Sequence, residues 1–171
     1  MTPNENNTAS YELALPSHWA AEFEPQLVTN EKPQAYVEID LDTRLQFTDG
    51  VVIVTNQRLL AKAPGEKSWQ QWPVRAGLVL NHFDHAGVGM LELSDQQGRL
   101  AIWRYTLSRN LAALRVISEF DLNRDSLVSG KAVLRSTEDL CPKCNAPLPP
   151  GEDECPICSH ETAAPPSTST L

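Results

Sequence analysis

Cys141 and Cys144 form one Cys-x-x-Cys pair, Cys155 and Cys158 form a second, and ten residues separate them. The chain has four cysteines, all in these two pairs. One tight turn carrying such a pair presents two thiolates to the same ion. Two such turns close a tetrahedron with no open position, the arrangement of a structural Zn²⁺ site. The alternatives are two disulfides or a redox Cys-x-x-Cys. Redox motifs come singly, at the start of a helix in a βαβ setting, and this sequence shows no such setting. The spacing therefore predicts one structural zinc ion held by Cys141, Cys144, Cys155 and Cys158.

The neighbouring residues suit that reading. Pro142 and Pro156 stiffen the two turns at the same place. Asn145 and Ser159 follow each pair where the backbone turns sharply, and Asn tolerates the left-handed region. Residues 146–154 are mostly Pro, Gly and acid, with Leu148 as the only large apolar side chain. Such a segment builds no core, so the metal must supply its folding energy. Iron in a rubredoxin-like site uses similar pairs but normally sits among aromatics, and this segment has none. Cys-Pro-Lys-Cys-Asn and Cys-Pro-Ile-Cys-Ser resemble the knuckles of a zinc ribbon, over residues 141–160. His160 follows the last knuckle and, with four thiolates available, reads as a solvated residue rather than a ligand.

The chain has 171 residues, which allows one ordinary domain plus a small extra. Setting aside the cysteine segment and the polar ends leaves about 110 residues, enough for a core that folds alone. The net charge is −8. Four metal-bound thiolates add about two further negative charges after the ion is counted. So acidic a chain argues against nonspecific binding to nucleic acid or to anionic membranes. Within the cysteine segment Lys143 is the only cation, against Glu152, Asp153 and Glu154. The start of the chain has neither a basic region nor an apolar run, so it does not read as a signal peptide. No run of ~18 apolar residues is present to span a membrane. Clustered thiol ligands without a signal point to the cytoplasm.

Residues 1–14 are polar and read as disordered. Pro16-Ser17-His18-Trp19 reads as a helix start, with Trp19, Ala20, Phe23 and Leu27 on one face and Pro25 ending or kinking the helix. The pattern then changes to strands. Residues 35–41 alternate with period two, and residues 51–55 are β-branched throughout. Between them 44–47 continues extended, with Thr48-Asp49-Gly50 expected as a turn. Further strands are expected over 58–62, 69–74, 77–83, 88–93 and 100–107, with Pro73 marking an edge. Seven short strands with regular turns predict a small barrel or sandwich. The period next switches to helix. Ser108 is placed to cap it, Leu111, Leu114, Ile117 and Phe120 form its stripe, which Ala113 and Val116 widen, and it is expected to end near Asp121–Asp125. One amphipathic helix after a small barrel is expected to plug its open end. The expected organisation is a folded domain over 15–125, a linker over 126–140 hinged at Ser129-Gly130, a metal segment over 141–160 and a flexible tail over 161–171. A linker-like tail is expected to lead into further chain.

Seven strands plus a C-terminal helix, with Thr55-Asn56-Gln57-Arg58-Leu59-Leu60 at a hairpin, resemble bacterial pleckstrin-homology-like domains over residues 33–122. The fold class this implies is α+β, mainly β: a seven-stranded pleckstrin-homology-like barrel capped by a helix and followed by a zinc ribbon. A longer run is similar to the N-terminal cytoplasmic region of bacterial ATP-binding-cassette exporters. It comprises Leu15-Pro16, Ile39-Asp40-Leu41-Asp42, the Thr55–Leu60 hairpin, Asp84-His85-Ala86-Gly87-Val88-Gly89 and the Cys-Pro-Lys-Cys pair. That resemblance implies a transporter context, with a membrane or ATPase domain as partner. It gives this chain no ATP site, since no Gly-x-x-x-x-Gly-Lys-Ser/Thr loop is present. The inositol-phosphate chemistry of pleckstrin-homology domains needs clustered Lys and Arg, whereas the matching loop is Asp40-Leu41-Asp42-Thr43-Arg44. Phosphoinositide binding is therefore not expected, and Arg58 is expected to pair with a carboxylate or with loop carbonyls.

Two other sets of residues invite function. His82, Asp84 and His85 could hold a second metal for a hydrolase, but His82 and Asp84 share a strand face while His85 falls in the turn, so turn and hydrogen-bonding roles are expected. Trp69, Trp72 and Trp103 could form a peptide or small-ligand surface, although indoles on short strands are more often core. Glu119, Asp121 and Asp125 read as a solvated helix face. No catalytic set is evident, and the expected role is a noncatalytic regulatory or docking module.

Overall fold

The computed structural model describes residues 13–130. The four cysteines, residues 1–12 of the start expected to be disordered over 1–14, and the expected tail lie outside the described residues. The described chain is mainly β: a seven-stranded antiparallel sheet with a short helix before it and a long helix after it. None of the described helices is long and apolar enough to cross a membrane.

The helix α1 (Ser17–Phe23) opens at Pro16 and gives way to a 3-10 turn, Glu24–Gln26, at Pro25. The strands are β1 (Pro33–Leu41), β2 (Phe47–Thr55), β3 (Arg58–Lys62), β4 (Gln70–Pro73), β5 (Val79–His85), β6 (Val88–Asp95) and β7 (Gly98–Thr106). Their order in the sheet is β4-β3-β2-β1-β7-β6-β5. Pro73 lies on an edge strand, where the missing N–H breaks no ladder.

β1 joins β7 through one ladder pair, Leu41 with Arg104. Side chains complete that corner. Asp40 accepts from the Thr106 N–H at 2.7 Å and from the Thr106 hydroxyl at 2.6 Å, and Arg109 reaches Glu38 at 2.8 Å. The corner thus rests on residues that a strand pattern alone assigns to solvent.

Two cores explain the sequence pattern. In the main core, Val37 and Ile39 of β1 meet Val52 and Val54 of β2, Leu59 and Ala61 of β3, Leu91 and Leu93 of β6, and Trp103 and Tyr105 of β7. The opposite face of β2 and β3 supplies Val51, Ile53 and Leu60 to a second core under α1, closed by Trp19 and Phe23. β2 is therefore covered on both faces, which is why it reads as an unbroken β-branched run. Burying Trp19 and Phe23 stabilises the docked α1 by about 1.5–3 kcal/mol each.

The structure corrects several expectations. Thr48-Asp49-Gly50 is not a turn but part of β2. A Cβ at Gly50 would lie 3.0 Å from both the Lys62 carbonyl and the Pro64 ring, so the close approach favours glycine there. The turn lies earlier, where Asp42 accepts the Arg44 and Gln46 N–H groups at 2.7 and 2.9 Å and Leu45 adopts φ 61°.

The C-terminal helix α2 (Asn110–Ser129) also departs from its expected form. It buries Ala113, Val116 and Phe120, so the residues expected only to widen the stripe lie at its centre, with Ile117 partly buried against the core and Leu111 and Leu114 outside the buried set. Steps of three residues drift around a 3.6-residue helix, whereas spacings of three and then four stay on one face. Ser108 does not cap α2. It lies in a 3-10 turn, Leu107–Arg109, and its hydroxyl meets that of Thr106 at 2.8 Å. The helix passes Asp125 and ends at Gly130, whose φ of 63° makes it a left-handed C-cap where a linker hinge was expected.

Candidate functional site

The hairpin Thr55-Asn56-Gln57-Arg58 between β2 and β3 is the most densely bonded polar locus among the described residues. The Thr55 hydroxyl accepts the Gln57 and Arg58 N–H groups at 3.2 and 3.0 Å, which shapes the turn, and donates to Glu31 Oε1 at 2.7 Å. Asn56 takes the Lys32 N–H at 2.8 Å and donates to the Asn30 carbonyl at 3.0 Å. Gln57 donates to the Thr29 carbonyl at 3.4 Å. Every residue of the turn thereby grips the segment between α1 and β1.

Arg58 completes the grip. Its Nε donates to Glu31 Oε1 at 2.8 Å and its Nη2 to Glu31 Oε2 at 2.8 Å, a bidentate pair. Nη2 also donates to the Gln26 carbonyl at 2.6 Å, and Nη1 to Gln71 Oε1 on β4. The Glu31 side chain is fully buried. Burial pushes its pKa up, but the hydrogen bonds from Arg58, the Val28 N–H and Thr55, with the Arg58 charge, hold it below its ordinary value of 4.5. α2 reaches the same place, where Asn123 donates to the Thr55 carbonyl at 2.9 Å. Arg58 therefore meets both a carboxylate and a loop carbonyl. Sequence reasoning did not find Glu31 as that carboxylate, because an acid in an irregular loop carries no periodic signal.

The loop Asp40-Leu41-Asp42-Thr43-Arg44 has its acids committed to structure. Asp40 holds Thr106 and Asp42 holds its own turn. Arg44 is exposed. No cluster of cations forms on this loop.

His82 and Asp84 lie on one face of β5 and His85 on the other, opposite Val88 at the hairpin. Among the described residues no three His, Cys, Asp or Glu side chains converge as a metal site. His82 instead stacks on Tyr105, with ring centroids 6.3 Å apart and planes at 26°. Tyr105 lies over Gly89, where a Cβ would come within 2.2 Å of the ring. Burial first, and then the Asp84 charge, raise the Tyr105 pKa, so its hydroxyl stays protonated.

The indoles do not form one surface. Trp72 and Trp103 meet edge to face at 5.6 Å in the main core. Trp69 packs on Phe23 at 5.8 Å and on Trp19 at 6.4 Å, against the second core. The two groups lie on opposite sides of the sheet. Cys141, Cys144, Cys155, Cys158 and His160 lie outside the described residues.

Comparison with family models, with curated proteins and with solved structures finds no match to this chain.

Proposed function

We propose that this chain is a noncatalytic docking or regulatory module: a pleckstrin-homology-like barrel joined to a structural zinc ribbon, working beside an ATP-binding-cassette export system in the cytoplasm. Its partner is a protein, the membrane or ATPase domain of the transporter. Zinc is held by Cys141, Cys144, Cys155 and Cys158 and takes no part in chemistry, because four thiolates leave no open position.

The observation that carries the reading is the engagement of Arg58. Its three guanidinium nitrogens all donate within the protein, to Glu31, Gln26 and Gln71, which engages four of its five N–H donors and leaves the one cation of the hairpin a single Nη1 N–H, too little to hold a phosphate through a bidentate fork. The fold is thus spent on locking its own elements together, which suits a rigid docking body. The acidic charge of −8 favours a basic partner surface over nucleic acid or anionic lipid.

Metal counting with a phosphate titration tests this. The reading expects one zinc per chain, lost in Cys141→Ser and kept in His85→Ala, and no response to inositol hexakisphosphate. A second metal lost in His85→Ala, or saturable binding of the inositol phosphate, would overturn it.

A further inference from the structure

The sheet has two edges, and they are built differently. β4 is four residues long and ends at Pro73. β5 is seven residues long, contains neither proline nor lysine, and pairs with β6 from Val79↔Ser94 to His85↔Val88 with no register shift. A straight edge with no proline, lysine or bulge, and a single acid near one end, offers a row of free backbone groups as a template for another strand.

The hairpin fixes which backbone groups are free. Ala86 and Gly87 both have positive φ, 51° and 83°, as a two-residue turn of the primed kind requires. His85 and Val88 therefore flank it as a hydrogen-bonded pair. Alternation along the ladder aims the N–H and C=O groups of Val79, Asn81, Phe83 and His85 at β6. Those of Leu80, His82 and Asp84 point away from β6, and no described strand lies beyond them.

We propose that β5 is a self-association edge, on which a second copy of this chain pairs its own β5 antiparallel about a two-fold axis at His82. The free groups repeat symmetrically about that residue. His82 exchanges both backbone bonds with its counterpart, and Leu80 exchanges both with Asp84 of the second copy, on either side of the axis.

The side chains fit the same register. On the inner face Asp84 falls diagonal to His82 of the second copy, an acid beside an imidazole. On the outer face Phe83 falls opposite Asn81, and Val79 opposite His85. Val79 and Phe83 are exposed, so the pairing extends an apolar strip across the axis. Each copy carries a charge of −8, so the copies repel and added salt tightens the pair.

Sedimentation equilibrium on the full reduced chain tests this. The expected mass rises with concentration and salt from 18.9 kDa to twice that value. Asp84→Pro deletes an outward N–H at an exposed position and leaves the β6 ladder whole, so it holds a single-chain mass with an unchanged circular dichroism spectrum. Amide exchange on the unmodified chain gives a second readout. The Leu80, His82 and Asp84 amides slow as concentration rises, while Asn81 and Phe83 do not change. A single-chain mass at every concentration, a dimer that survives in folded Asp84→Pro, or Leu80, His82 and Asp84 amides protected independently of concentration would each overturn the proposal. The last result would mean that a different strand occupies the edge.

Discussion

Arg58 and Glu31 form a bidentate ion pair, with both contacts at 2.8 Å, between the β2–β3 hairpin and the segment that links α1 to β1. The carboxylate side chain is fully buried and the guanidinium nearly so. Removing one member of such a pair leaves an uncompensated charge in the interior, and the loss exceeds what the pair contributes as a whole. Arg58→Ala is expected to destabilise the domain by about 3–5 kcal/mol in urea unfolding. Arg58→Lys keeps the charge but loses the fork, and is expected to fall between the two. Equal stability of Arg58→Ala and the parent would show that the pair is not formed.

The same pair gives stability a pH dependence. Glu31 has a folded pKa below its unfolded value of 4.5. A group depressed in this way contributes its full stability above the unfolded value and loses it as pH falls through the folded one. Stability is expected to decline below about pH 4.5. Glu31→Gln should flatten that decline, which acid-range thermal melts on both proteins measure.

Gly89 and Tyr105 make a pair of opposed predictions. A methyl group at 89 would sit 2.2 Å from the Tyr105 ring, so Gly89→Ala is expected to cost about 1–3 kcal/mol by displacing the ring. The Tyr105 hydroxyl is buried with no hydrogen-bond partner among the described residues. Removing a buried group that makes no bond is neutral or stabilising, so Tyr105→Phe is expected to melt at or above the parent temperature.

Ala86 holds a φ of 51° at the first position of the β5–β6 turn. Ala does not favour the left-handed region, whereas Asn tolerates it. Ala86→Asn is expected to stabilise the domain by up to about 1 kcal/mol, read as a higher urea midpoint with an unchanged slope.

Much of the β architecture was legible. The alternation of 35–41, the β-branched run 51–55 and the hairpin at Thr55–Leu60 place the early strands within a few residues, and the later strands fall as close to their expected spans. Less was legible where tertiary contact overrides local chemistry. Thr48-Asp49-Gly50 has the composition of a turn, yet Gly50 is there because Lys62 and Pro64 come close. The centre of the buried face of α2 was misplaced, because the larger Leu111 and Leu114 outweigh Ala113 in a sequence pattern, while it is Ala113 and Val116 that are buried beside Phe120. Glu31 and Asp40 were invisible as structural residues, since their partners Arg58 and Thr106 are 27 and 66 residues away. Of the candidate sites, alternation put His82 and Asp84 on one strand face, but His85, expected in the turn, is the last residue of β5 and falls on the other face. The sequence could not assign the three indoles to two cores, because that depends on which sheet face α1 covers.

The central claim is that four thiolates grip one zinc ion and react with nothing. Zinc and reactive thiols can be counted together on the purified, reduced full chain, before and after a strong chelator. One zinc per chain, with the four thiols shielded until the chelator is added and the charge of the segment then rising, is the predicted result. No stoichiometric zinc, or thiols oxidised in pairs in protein taken directly from cells, would contradict it.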